Sequence, residues 1–215
     1  PAAPVVSPNG DGVDETQELS YKVVRPSTVT ATLTGPAGSV AFAETLLQET
    51  GTYEVAFPPV PANPAAPVAP AEGKWRLDVA AADDLGRTSS TREQFTVNNT
   101  LGDAKLARNR IVARIRGGQV LQAGVTVTRP ARLTITAETV SGVRVATVGI
   151  RQVPAGRFIA GWNGTTGGGK ALVYGGRYVL RFRAVNALGA VELTTRPFTV
   201  IKPAPPKKKQ PKPRS

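Results

Sequence analysis

The sequence predicts an all-β protein: two β-sandwiches of like design in tandem, followed by a short basic tail. Three observations predict it. The chain repeats itself at an offset of 103 to 104 residues, its apolar residues recur with a period of two, and Gly, Pro and Asn clusters break it about every ten residues. No long stripe of helical period appears anywhere.

The repeat is direct. "YKVVRPSTVTATLTG" (Tyr21 to Gly35) aligns with "VTVTRPARLTITAET" (Val125 to Thr139), which sets Arg25-Pro26 on Arg129-Pro130. "GKWRLDVAAADDLG" (Gly73 to Gly86) aligns with "GRYVLRFRAVNALG" (Gly176 to Gly189), and Phe95-Thr96-Val97 with Phe198-Thr199-Val200. The division follows as residues 1–98, 99–201 and a tail of 202–215. Within each copy, Val29, Ala31 and Leu33 alternate with threonines, and Leu133, Ile135 and Ala137 alternate with Arg132, Thr134 and Thr136. Trp75, Leu77 and Val79 do the same, as do Tyr178, Leu180, Phe182 and Ala184. Each stretch reads as a strand with one buried and one wet face. Seven or so such strands in about 100 residues mark an immunoglobulin- or fibronectin-III-like sandwich. Pro26 and Pro130 lack a ladder donor and belong at a strand start or corner. "PPVPANPAAPVAP" (Pro58 to Pro70) favours an extended polyproline excursion between strands. "KPAPPKKKQPKPRS" at the end has nothing to bury, so disorder is expected there.

Composition narrows the chemistry. The 215 residues include no Cys, His or Met. That excludes the usual zinc sites, thiol nucleophiles, Ser-His-Asp triads and a disulfide framework. Without an initiating Met, Pro1 is expected to begin a processed or excised piece. No apolar run approaches the roughly 20 residues of a membrane helix. Charge is divided unevenly. Residues 1–98 carry 6 Lys/Arg and 12 Asp/Glu (net −6), residues 99–201 carry 15 and 3 (net +12), and residues 202–215 add 6 positive charges. Such asymmetry speaks of partners, not of fold.

In the second copy, "GWNGTTGGGKALVYGGRYVLRFRAVNALG" resembles the closing half of the FlgD Ig-like domain family, through Trp162, Asn163, Gly164, Gly176, Tyr178, Asn186 and Gly189. In the first copy, "SPNGDGVDET" is similar to the segment that often precedes such domains in secreted bacterial proteins, while Phe57 stands in place of the tryptophan. The resemblance implies a sandwich fold and an extracellular or cell-surface setting in the bacterial envelope, but no activity. It suggests a non-catalytic spacer or attachment module, with other domains of a parent secreted protein as partners. A flagellar hook-cap-like assembly scaffold and a carbohydrate-binding accessory module of a secreted hydrolase are the alternatives.

Three groups of residues are candidate sites. "SPNGDGVDET" reads first as a structural turn. Asn9, Asp11 and Asp14 are the ligands if it binds a structural calcium ion, although the spacing departs from a calcium loop and residue 20 is Ser where a bidentate glutamate belongs. No other cofactor is indicated. Asp83-Asp84 lies in a turn, and its counterpart in the second copy is Asn186-Ala187, so a duplicated carboxylate site is excluded and no enzyme is expected. Arg177, Arg181 and Arg183 share the wet face of one strand, Arg110, Arg114 and Arg116 alternate along "RIVARIR", and Lys207, Lys208 and Lys209 crowd the tail. Together these are candidates for an anion-binding surface, with a merely solvated basic face as the alternative reading. Without exposed aromatics between the basic residues, or a groove-entering helix, an anionic cell-wall polymer fits better than nucleic acid. The aromatics read as core, with glycan stacking as the alternative at Trp162 beside the glycine loop.

Overall fold

The computed structural model describes residues 4–10, 12–58, 69–113, 120–166, 171, 173 and 175–202. The first half contains β1 (Val5–Val6), β2 (Leu19–Val23), β3 (Ser27–Thr34), β4 (Val40–Gln48), β5 (Gly51–Val55), β6 (Gly73–Asp83) and β7 (Thr88–Val97). The second contains β8 (Leu101–Leu106), β9 (Arg110–Val112), β10 (Leu121–Val127), β11 (Ala131–Thr139), β12 (Arg144–Val153), β13 (Gly156–Trp162), β14 (Gly176–Asn186), β15 (Gly189–Thr194) and β16 (Phe198–Ile201). The protein is an all-β pair of sandwiches.

Each half places a large sheet over a small one. In the first, the order β1-β7-β6-β3-β4 faces the pair β2-β5. In the second, β12-β11-β14-β16-β9, with β15 also on β14, faces β13-β10-β8. The large sheets follow one plan, down to a parallel pair at the edge: β1 on β7 and β9 on β16. Pro26 and Pro130 each stand one residue ahead of a central strand, β3 or β11, where the missing N–H costs no ladder bond.

Alternation sets the core. Leu33 lies opposite Leu77 and Ala31 opposite Val79, all four buried; Ile135 opposite Phe182 and Leu133 opposite Ala184 repeat the arrangement. At the lower end of each core three aromatics meet edge to face. Phe57 contacts Trp75 and Phe95 with centroids 5.0 and 4.6 Å away, and Trp162 contacts Tyr178 and Phe198 at 6.2 and 5.9 Å. Burying one such ring contributes about 1.5–3 kcal/mol, and the edge contacts add to it. The first core runs from Val6 to Val97 and the second from Leu101 to Val200, so the chain passes between them through Asn98, Asn99 and Thr100. The polyproline segment is described only at its ends, and the tail expected to be disordered lies beyond residue 202, outside the described residues.

Candidate functional site

Asn98 and Thr100 are polar, yet neither exposes any surface. Burial of such groups is costly unless each finds a partner, and here they partner one another. The Asn98 backbone N–H donates to the Val6 carbonyl at 2.9 Å, which ties the end of β7 to β1. The Asn98 Oδ1 accepts from the Thr100 N–H at 3.2 Å and from the Thr100 hydroxyl. Its Nδ2 donates to the Gly189 carbonyl at 3.3 Å and approaches the Asn186 Oδ1 at 3.4 Å. Asn186 closes the ring, with Nδ2 donating to the Thr100 Oγ1 at 2.6 Å and Oδ1 accepting from the Leu188 N–H at 2.8 Å.

Two further contacts flank this ring. Glu72 accepts the Asn99 N–H at 2.7 Å with one carboxylate oxygen and pairs with the Arg129 guanidinium through the other. Gly189 adopts φ +111°, and a Cβ built on it would stand 3.0 Å from Val5 Cγ2. Glycine is needed there both for its backbone angle and for the close approach of β1. Thus the β14–β15 hairpin and the Arg129-Pro130 corner of the second sandwich are seated on the base of the first.

The opening loop joins the same junction. The Ser7 N–H donates to the Asp14 carbonyl at 2.7 Å, and Gly10 and Gly12 turn the chain with φ near +82° and +83°. The Gly12 N–H is accepted by Glu15 Oε1 at 3.0 Å. Asn9, one of the three expected calcium ligands, turns its amide Nδ2 to the Leu101 carbonyl of the second sandwich at 3.2 Å. Asp14 is exposed with φ +51°, and Asp11 lies outside the described residues. Among the described residues, no three His, Cys, Asp or Glu side chains come together.

The basic face requires a correction. Arg177, Arg181 and Arg183 do share the outer face of β14, but Arg181 is not a free cation. Its Nε donates to Glu138 Oε2 on β11 and its Nη1 to Glu192 Oε2 on β15, both at 2.8 Å. Arg183 lies 3.3 Å from the same Glu192. Two arginines and two glutamates cancel, so this part of the face carries no surplus charge. Burial disfavours the ionised form of Glu138, yet hydrogen bonds from Arg181 and Thr136, with the charges of Arg181 and Arg144, outweigh it and hold the carboxyl below its ordinary range. The hydrogen bond to Glu138 raises the pKa of Arg181 against its own desolvation. Arg177 and Arg110 are different. They flank Thr199 on adjacent strands, about 10 Å apart at the strand spacing, and neither has an ion pair among the described residues. Arg114, Arg116, Lys207, Lys208 and Lys209 lie outside the described residues.

Other expectations are settled by position. Trp162 is buried, its indole N–H donates to the Thr165 carbonyl at 2.8 Å, and it presents no open face for a glycan. Asp83 ends its hairpin, accepting the N–H groups of Leu85 at 3.0 Å and Arg87 at 2.9 Å while paired with the Arg87 side chain. The junction ring went unnoticed in the sequence. The signal there was "NNT" at the repeat boundary, three polar residues set between the fully buried Val97 and Leu101.

No protein-family profile matches this chain, and no curated protein matches it. Among solved structures it is similar to a tetra-tandem repeat from the extending region of a large adhesion protein, at 18% identity and TM-score 0.31 over 84% of this chain and 44% of that one. It is also similar to dimeric latent PorU of Porphyromonas gingivalis (12%, TM-score 0.38, covering 94% of this chain and 19% of that chain). A third is the Salmonella enterica SafA pilin in complex with the SafB chaperone (11%, TM-score 0.28, 91% of each chain). The chain spans less than half the length of the first two. Likenesses of this extent add nothing about activity.

Proposed function

We propose that this chain is a non-catalytic spacer and attachment module of a secreted or surface-exposed bacterial protein, built from two FlgD-like Ig sandwiches held in a fixed mutual setting. The observation that carries the proposal is the linker pair Asn98 and Thr100, both fully buried, whose side chains hydrogen-bond to each other and to Asn186 of the second sandwich. A flexible tether would leave such groups to water. The FlgD-like residues support the assignment by their tasks: Trp162 and Tyr178 pack the core, and Asn186 and Gly189 form the seat of the junction.

Absence of catalysis is part of the proposal. A carboxyl serving as general acid near neutral pH needs a raised pKa. Asp78 is partly desolvated, yet Arg92 and Arg76 lower it; Asp83 is lowered by its hydrogen bond from Arg87, and Glu138 is lowered as described. Attachment is assigned to Arg110 and Arg177 at the base of the second sandwich, beside the chain's exit into the basic tail. The ligand class is an anionic envelope polymer.

The test is co-sedimentation of the whole chain with purified bacterial cell wall at rising salt, beside Arg110→Ala/Arg177→Ala and Arg183→Ala variants. Binding should weaken steeply as the Debye length falls from about 30 to about 8 Å. The double variant should bind less and Arg183→Ala should bind normally. Retention indifferent to salt, or equal for all three proteins, refutes the attachment role.

A further inference from the structure

We propose that the cleft between the opening loop, β8 and the turn from β15 to β16 binds an acidic saccharide, whose carboxylate or phosphate is held by Arg108 and Arg196. The cleft has a volume of about 880 Å³ and takes its walls from both sandwiches. Asn9 and Gly10 come from the first, while the second supplies residues 103–106, 108–109, 193–194 and 196–197. Small ligands occupy clefts of roughly 300–1,000 Å³.

The lining carries surplus positive charge. Lys105 Nζ lies 3.3 Å from Asp103 Oδ1, so those two offset each other. Arg108 and Arg196 are exposed, and neither has an ion pair among the described residues. The Thr199 N–H donates to the Asn109 carbonyl at 2.9 Å, which holds the segments carrying the two arginines side by side as they enter β9 and β16. Two guanidiniums at one cleft present planar forks of donors to a single oxyanion. Leu106 and Leu193 also line the cleft and give the carbon–hydrogen face of a sugar ring apolar surface to lie on. Asn109 and Thr194 bring amide and hydroxyl groups for its hydroxyls.

Two features select a saccharide over other anionic chains. Among the described lining residues there is no aromatic, so nucleobases would find nothing to stack on. An acidic peptide would bind by adding a strand to the open edge of β8. That edge is broken by a bulge, because Asp103 and Ala104 together oppose Val125, and Asp103 has φ +58°. Bulges of this kind keep an edge from accepting another strand. A saccharide needs no ladder. The cleft does not include Arg110 or Arg177, and it rests on the attachment reading only for the expectation that the saccharide comes from the cell envelope.

The experiment titrates the isotope-labelled whole chain with trigalacturonate, glucose 6-phosphate, neutral maltotriose and hexaglutamate, and follows backbone amide chemical shifts. Trigalacturonate or glucose 6-phosphate should shift amides within residues 103–109 and 193–196, and the tighter of the two identifies the oxyanion as carboxylate or phosphate. Maltotriose and hexaglutamate should leave those amides unmoved. Each arginine removed takes away a charge-assisted hydrogen bond, so Arg108→Ala/Arg196→Ala should weaken binding by about tenfold or more. Arg110→Ala/Arg177→Ala should bind the saccharide as the unaltered chain does. All four side chains are exposed, and the remaining amide spectrum reports that each variant keeps its fold. Shifts elsewhere or none, an equal response to maltotriose or hexaglutamate, or equal weakening in the two double variants overturns the proposal. A normal saccharide titration beside failed cell-wall retention supports the cleft and refutes the attachment reading alone.

Discussion

Replacing Asn98 by alanine tests whether the junction is a structural element or an incidental contact. The substitution removes the acceptor of two bonds from Thr100 and the donor of two longer ones, to Gly189 and Asn186 at 3.3 and 3.4 Å. The two Thr100 bonds are worth about 1 kcal/mol each, and the Thr100 N–H left buried without an acceptor costs about 1 more. The two long bonds add little. The expected loss is therefore about 2–3 kcal/mol. For a sandwich of this size that corresponds to roughly 10–20 °C in the melting temperature. Differential scanning calorimetry reads the shift, and small-angle scattering should show a broader distribution of end-to-end distances as the two sandwiches uncouple. Asn186→Ala removes the ring from its other side, so the double variant should cost less than the sum of the singles by about 1 kcal/mol. A shift below about 2 °C for Asn98→Ala, together with additivity within about 0.3 kcal/mol, would show that the buried ring does not couple the sandwiches.

Two further outcomes are expected. Glu138 has a lower pKa folded than unfolded, so its stabilisation is present above the ordinary glutamate value of about 4.3 and is lost as pH falls through the folded value; urea titrations should show Glu138→Gln less stable at pH 7 but with a flatter decline on the acid side, and parallel pH curves would refute this. Gly189→Ala places a side chain at φ +111° against Val5 and should cost about 1–3 kcal/mol in the urea midpoint, with Val5→Ala relieving the contact but not the backbone strain; an unchanged midpoint would remove Gly189 from the junction.

Strand identity and inward faces were legible because alternation is a local property of an extended chain. Val29, Ala31 and Leu33, or Tyr178, Leu180 and Phe182, face the core wherever their strand is placed, and the matched aromatics Trp75 and Tyr178 could be assigned to it from the repeat alone. Alternation says which face a residue occupies, not which residue stands beside it. That depends on register, and register depends on hairpins and on contacts between distant segments. The hairpin after β14 closes on Asn186 and Gly189, whereas the one after β6 closes on Asp83 and Arg87, one residue longer. The shorter hairpin places Glu192 opposite Arg183 and within reach of Arg181, while Glu138 arrives from 43 residues away on β11. In the sequence the arginines of β14 therefore read as free charge, and in the fold two of them are neutralised. The junction has the same character: Asn98 and Asn186 are 88 residues apart, and only the docking of one sandwich on the other makes a buried pair of two residues that each look like ordinary turn asparagines. Local chemistry determined the strands of this protein; packing over long sequence separations decided which of its polar side chains hold the molecule together and which stand exposed without an ion pair among the described residues.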